Sequence, residues 1–135
     1  MIDQSIASVR VLLVDDDAMV RRTVCRMLAR AGMSASEADC AESALELLRS
    51  DSFDLVITDV VMPGIGGLRL IEALRNRDSK VAILAVSGGG RMDDRDVLDL
   101  ARKAGAAATL EKPFGLEALT AAVRYALVRD TESPD

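Results

Sequence analysis

The sequence predicts an α/β domain built on a five-stranded parallel sheet. Two observations lead to this prediction: short, continuous apolar runs alternate with segments of helical periodicity, and the alternation repeats five times with short connections. Right-handed crossovers would place helices on both faces of the sheet. Because five strands are too few for a closed barrel, we expect a doubly wound sheet with the strand order 2-1-3-4-5.

Four apolar runs have the length of strands that are buried on both faces of a parallel sheet. They cover residues 11–14, 55–57, 81–86 and, more weakly, 107–110. A fifth strand is expected at residues 34–38, where the sequence is more polar. This polarity favours a position at the edge of the sheet.

Between the strands, apolar residues recur at spacings of three and four, as in helices with one buried face. Gly32 and Gly105 stand at the expected ends of the first and fourth helices. Helices are expected near residues 18–31, 41–49, 67–77, 93–104 and 116–128. Their buried faces are predicted to carry Val20, Val24, Met27, Leu28 and Ala31, then Ala44, Leu45 and Leu48, then Leu70, Ile71 and Leu74, then Val97, Leu100, Ala101 and Ala104, and finally Leu116, Leu119, Ala122, Val123 and Leu127.

The 135 residues fit one domain, and 50% of them are hydrophobic, which is enough for a core without disulfides or a structural metal. We expect an N-terminal extension over residues 1–8, the domain over residues 9–129, and a fraying polar tail over residues 130–135. The N-terminus lacks the apolar region of a signal peptide, and no apolar run is long enough to span a bilayer. A cytoplasmic location without membrane contact is therefore expected.

The composition excludes several kinds of chemistry. The formal net charge of −5 argues mildly against a nucleic-acid surface. The chain has no His, which excludes the commonest general base and the Ser-His-Asp arrangement. Cys25 and Cys40 form no CxxC pair, so we expect buried, reduced thiols rather than a zinc site. Any catalysis must use carboxylates, Lys, hydroxyl groups or a metal.

Polar side chains follow four of the predicted strands. In an open parallel sheet ligands bind at the carboxyl ends of the strands, and the first, third, fourth and fifth strands are neighbours in the expected order. Clustered carboxylates repel one another unless a cation lies among them, and oxygen ligands select Mg²⁺ or a similar ion. The groups that should converge are Asp15, Asp16 and Asp17 after the first strand, Asp59 after the third, Ser87 after the fourth and Lys112 after the fifth.

Simpler roles exist for single members of this set. Asp17 directly precedes a helix and fits an N-cap equally well. Ser87 alone would fit an N-cap or a turn, and Lys112 alone a solvated side chain. The prediction of a site therefore depends on the joint placement of the residues.

These motifs resemble the receiver domain of bacterial two-component response regulators. The resemblance is carried by residues 11–17, residues 59–64, Ser87 and residues 112–114, and it extends over residues 9–128. Four motifs in the same order with matching spacing make the match specific. It implies a flavodoxin-like (β/α)5 fold.

The resemblance also implies a role for each acidic residue. Asp59 would be the phosphoacceptor, whose carboxylate attacks a phosphoryl group. Asp16 and Asp59 would bind Mg²⁺ directly, and Asp15 mainly through water. The backbone carbonyl of Val61 would supply another metal ligand.

The phosphoryl oxygens would be bound by Ser87 and Lys112, and the peptide bond before Pro113 is expected to be cis. Thr109 stands where the family often has Tyr or Phe, so we do not expect an aromatic switch and assign signalling to Ser87 and its loop. Three glycines at residues 88–90 follow Ser87. They indicate either a loop that phosphorylation orders or a plain turn.

The family's function implies a phosphorelay signalling protein that catalyses only its own phosphorylation and dephosphorylation. A histidine kinase or histidine phosphotransfer protein would be the donor. No output domain is expected, so a stand-alone receiver would contact a target protein through the face made by the fourth helix, the fifth strand and the fifth helix.

Two alternatives remain. A receiver-like scaffold could act without phosphorylation, although every site position is filled. The spacing of Asp15 and Asp17 resembles that of the two acids in small phosphatases with a nucleophilic Asp. However, Met19 stands where that family has Thr or Val.

Overall fold

The fold is that of five parallel strands alternating with five helices, as predicted. The computed structural model describes residues 5–62, 66–77, 80–88 and 94–132. Within these residues the strands are β1 (Arg10–Val14), β2 (Ser34–Ala38), β3 (Leu55–Asp59), β4 (Ala82–Ser87) and β5 (Ala108–Glu111). The helices are α1 (Ala18–Arg30), α2 (Ala41–Ser50), α3 (Gly66–Asn76), α4 (Asp94–Ala104) and α5 (Leu116–Glu132).

The sheet has the strand order β2-β1-β3-β4-β5, which confirms the predicted order. All four pairings are parallel. The register aligns Val14 with Thr58, and Asp59 with Val86. The carboxyl ends of β1, β3, β4 and β5 therefore lie side by side at one edge.

Two apolar layers enclose the sheet, because successive strand residues point to opposite faces. Val11 and Leu13 of β1 pack in the layer that contains buried residues of α1 and α5. Leu12 and Val14 pack in the layer that contains buried residues of α2, α3 and α4. The strands β1, β3 and β4 are thus covered on both faces, as their continuous apolar sequences predict.

Helix α1 has defined caps at both ends. Asp17 is its N-cap, and its Oδ1 accepts hydrogen bonds from the amides of Met19 and Val20 at 2.9 and 3.3 Å. At the other end Gly32 follows the C-cap with a φ of 92°, and its amide donates to the carbonyl of Ala29. This left-handed conformation explains the glycine that the sequence places there.

The buried face of α4 differs from the prediction. Leu100 was expected to face the core but is 48% exposed, whereas Leu98 is 4% exposed. Val97 and Ala101 are buried as expected. The buried stripe of α4 is therefore rotated relative to the predicted one.

The described chain ends differ in detail from the expected boundaries. Ile6, within the predicted extension, is fully buried, and the amide of Ser8 donates to the carbonyl of Gly32. Helix α5 continues to Glu132, into the segment expected to fray. Residues 133–135, and residues 89–93 with two of the three glycines after Ser87, lie outside the described residues.

Both cysteines are free, and each is half-buried rather than fully buried. The Sγ of Cys40 caps α2 by accepting from the amide of Ser43 at 3.4 Å. Burial, helped by the nearby Glu37, raises the pKa of the Cys25 thiol to about 11. Among the described helices, none is both long and apolar enough to cross a membrane.

Truncation of two leucines in α4 tests its orientation. Leu98→Ala should lower the free energy of unfolding by about 2–5 kcal/mol, the usual cost of a cavity at a buried leucine. Leu100→Ala should change it by less than about 0.5 kcal/mol, as at an exposed position. Urea unfolding of both variants measures the difference, and equal costs would contradict the observed orientation.

Candidate functional site

Buried polar side chains gather at the carboxyl edge of the sheet. Among the described residues, the buried polar side chains are Asp15, Thr58, Asp59 and Ser87. Asp15 directly follows β1, while the other three lie at the ends of β3 and β4. Because buried polar groups cost free energy unless they are paired, their concentration here marks the part of the molecule with a chemical role.

Lys112 bridges two of these carboxylates. Its Nζ donates to Asp15 Oδ2 at 2.9 Å and to Asp59 Oδ2 at 3.1 Å. The lysine follows β5, and the strand order brings it across the edge to residues of β1 and β3. The sequence predicted this meeting from the topology alone.

Burial and neighbouring charge oppose each other in this ion-pair network. Burial raises the pKa of Asp59 above its ordinary value, and the Asp15 carboxylate also raises it, although Lys112 pulls it down. Burial by itself would lower the pKa of Lys112, but hydrogen bonds and charge from Asp15 and Asp59 outweigh it, so that pKa is raised. The lysine is therefore held in its charged form.

The predicted acidic group is assembled. Carboxylate oxygens of Asp15, Asp16 and Asp59 all lie within 4.8 Å of one another, and this group could hold a metal ion. Asp16 is exposed, so the cluster is open to solvent on one side. Its donors are oxygens without nitrogen or sulfur, which suits a hard divalent cation. Asp17 does not belong to this group, since it caps α1.

The remaining predicted residues lie around this cluster. The amide of Val61 donates to Asp59 Oδ1 at 3.2 Å and so orients the carboxylate. The amide of Lys112 donates to the carbonyl of Ser87 at 2.7 Å, and the peptide bond between Lys112 and Pro113 is cis, as expected. The roles of the Val61 carbonyl as a metal ligand and of the Ser87 hydroxyl remain predictions.

Two glycines allow the backbone to close around the site. A Cβ added at Gly67, at the start of α3, would lie 1.8 Å from the carbonyl oxygen of Asp59. A Cβ at Gly88 would lie 2.7 Å from the Cβ of Lys112. Gly67 was not predicted to have a role at the site, because nothing local in the sequence reveals such a tertiary approach.

Two arginines near the site were also missed. Arg21 donates from Nη1 to the backbone carbonyl of Asp15 at 2.6 Å. Arg102 of α4 donates to the hydroxyl of Thr109 at 2.7 Å and pairs with Asp99 at 2.8 Å. At Thr109, where receiver domains often have Tyr or Phe, the structure thus has a polar contact between α4 and β5.

Comparison with known proteins gives one consistent result. The family model of the response regulator receiver domain matches residues 11–124. Response regulator MprA of Mycolicibacterium vanbaalenii is 40% identical over 124 residues, covering 91% of this chain and 52% of the relative. Transcriptional regulatory protein FixJ of Azorhizobium caulinodans is 36% identical over 125 residues, covering 93% of this chain and 58% of the relative. The chain thus spans about half the length of these curated relatives.

A solved structure shows the same fold. A putative response regulator from Chloroflexus aurantiacus aligns with a TM-score of 0.81 and 29% identity. The alignment covers 90% of this chain and 98% of that one.

Alanine substitution of two glycines tests the close packing of α3 against the site. Gly67→Ala should lower the free energy of unfolding by at least about 1–3 kcal/mol, the cost of overpacking, because the new methyl group meets the Asp59 backbone. Gly115→Ala is the control, since its Cβ would meet no atom within 4 Å. Because Gly115 precedes α5 and its carbonyl accepts from the Leu119 amide, this change should cost at most about 1 kcal/mol, the loss of a favoured N-cap residue. Urea unfolding compares the two, and a neutral Gly67→Ala would contradict the described approach of α3.

Proposed function

This chain belongs to the response-regulator receiver domain family, and on that premise we propose that it is a phosphoacceptor signalling protein of a two-component phosphorelay. Asp59 is the proposed phosphoacceptor. The observation that carries the proposal is the meeting of Asp59 with Asp15, Asp16 and Lys112 at the carboxyl edge of the sheet.

Asp59 has the surroundings of a carboxylate nucleophile. Its Oδ1 is held by the Val61 amide, and its Oδ2 faces the Lys112 ammonium. In the proposed reaction a carboxylate oxygen forms a bond to phosphorus while the bond between phosphorus and the donor atom breaks. The nearby ammonium favours the charged carboxylate that this attack needs.

The Lys112 ammonium would also stabilise the phosphorylated form of Asp59. When a phosphoryl group is attached to Asp59, Lys112 would pair with one of its oxygens, and the Ser87 hydroxyl at the end of β4 would bind another. Positioned charges and donors of this kind provide most of the catalysis in phosphoryl transfer.

Mg²⁺ is the proposed cofactor. Asp15, Asp16 and Asp59 would hold it together with the Val61 carbonyl, and it would supply positive charge against the phosphoryl oxygens. The donor set fits, because three carboxylates lie within 4.8 Å of one another and a single ammonium offsets only part of their charge.

The proposed partners follow from the family. A histidine kinase or a histidine phosphotransfer protein would donate the phosphoryl group, and the protein would act in the cytoplasm without nucleic-acid or membrane contacts. A target protein would bind the face of α4, β5 and α5. Apolar side chains exposed on these helices, Leu100 on α4 and Tyr125 and Val128 on α5, are suitable for such a contact.

The phosphatase alternative is disfavoured by Asp17. The second acid of such an enzyme must be free to exchange a proton, but the Asp17 carboxylate accepts from two amides as the N-cap of α1. No observation among the described residues favours a scaffold over a phosphoacceptor.

Intact-mass measurement tests the proposal. After incubation with Mg²⁺ and acetyl phosphate, the protein should gain about 80 Da, the mass of one phosphoryl group. Asp59→Asn should lose the gain, while Asp51→Asn, which changes an exposed aspartate paired with Arg10, should keep it. A gain that persists in Asp59→Asn would refute the acceptor. No gain in the wild-type protein would leave either a receiver that accepts only from a kinase or a scaffold, and a Mg²⁺-binding measurement would then separate the two.

A further inference from the structure

Arg21 joins α1 to two strands of the sheet. Its Nη1 donates to the backbone carbonyl of Asp15 at 2.6 Å, and its Nε donates to Glu37 Oε1 of β2 at 3.0 Å. The Arg21 side chain is 17% exposed and Glu37 is 47% exposed, so the bond to the Asp15 carbonyl is the better shielded of the two. Hydrogen bonds from a charged donor in such a setting are stronger than neutral ones.

The other arginines of α1 do not behave in this way. Arg22, Arg26 and Arg30 are exposed, and within the described residues no hydrogen bond or ion pair involves their side chains. The engagement of Arg21 is therefore specific to its position and is not a general property of a basic helix face.

Asp15, the residue that Arg21 contacts, has a hydrogen-bond partner for each of its polar groups. The amide of Asp15 donates to the carbonyl of Ala38 at 3.2 Å. Its Oδ1 accepts from the Asp17 amide at 2.9 Å, and its Oδ2 accepts from Lys112. Its carbonyl is held by Arg21. This carbonyl is where the chain turns from β1 into the loop that carries Asp16.

We infer that Arg21 is a positioning residue for the acidic cluster. By holding the Asp15 carbonyl, it sets the places of the Asp15 and Asp16 carboxylates, and Glu37 orients its guanidinium for this task. The inference rests on the proposed function, since it concerns the cluster that would bind Mg²⁺. Residues that orient metal ligands without touching the metal commonly have large effects on metal affinity.

Arg21→Lys tests the inference on the full chain, with Arg22→Lys as the matched control. Lysine keeps the charge but lacks the planar fork, so it cannot donate from two nitrogens in the fixed geometry that Arg21 uses, with Nε on Glu37 and Nη1 on the Asp15 carbonyl. The control makes the same change at the adjacent, exposed arginine. Glu37→Gln is a second variant, which keeps an acceptor for Arg21 but removes its charge.

The first measurement is amide hydrogen exchange of Asp15 and Asp17 in metal-free protein. Exchange at these amides should become about tenfold faster in Arg21→Lys, the scale set by one lost charge-assisted hydrogen bond, and should be faster in Glu37→Gln by a smaller factor. The control should match the wild-type protein. Exchange in the strand β4 serves as the internal reference for global stability.

The second measurement is calorimetric titration with Mg²⁺, where affinity should fall about tenfold in Arg21→Lys and remain unchanged in Arg22→Lys. If exchange at Asp15 and Asp17 is unchanged in both Arg21→Lys and Glu37→Gln, the inference is overturned. Because exchange is measured without metal, it reports on Arg21 even if the wild-type protein accepts no phosphoryl group. If exchange changes as expected but the wild-type protein accepts no phosphoryl group, only the proposed function is contradicted.

Discussion

One lysine ammonium between two carboxylates is the interaction on which the site depends. Lys112 contacts both Asp15 and Asp59, and both acids are almost fully buried. Buried charges are tolerated only when they are paired and hydrogen-bonded, so the three residues must be brought together with little freedom. The parallel strand order achieves this, because it places the ends of β1, β3 and β5 within reach of one another.

The surrounding backbone is closed tightly around these charges. Gly67 lets α3 approach the Asp59 carbonyl, and Gly88 lets the end of β4 approach Lys112. Asp17 starts α1 directly after the acidic residues, and one turn later Arg21 reaches back to the Asp15 carbonyl. The acidic cluster is thus supported from several elements, while exposed Asp16 leaves it open to solvent on one side.

Much of the fold and of the acidic cluster could be predicted from the sequence. The same physical reasons explain which features could not be predicted. Strand ends in a parallel sheet share an edge, so polar residues after the apolar runs had to meet, and Asp15, Asp59 and Lys112 do. Leu100 was misplaced because a helix with apolar residues on several sides does not reveal which stripe its tertiary neighbours cover. Gly67 and Arg21 were missed for a related reason. Their roles depend on how a helix packs against the end of the strand that precedes it, and the periodicity of apolar residues does not contain that information.

Asp15, Asp16 and Asp59 are proposed to act as one cation site. The most direct measurement is an NMR titration with Mg²⁺ that follows the side-chain carboxyl carbons of every aspartate. The account predicts that Asp15, Asp16 and Asp59 shift together with one saturable affinity, while the exposed aspartates elsewhere, such as Asp51 and Asp99, do not. Shifts spread over the surface acids, or no saturation at the three, would contradict it.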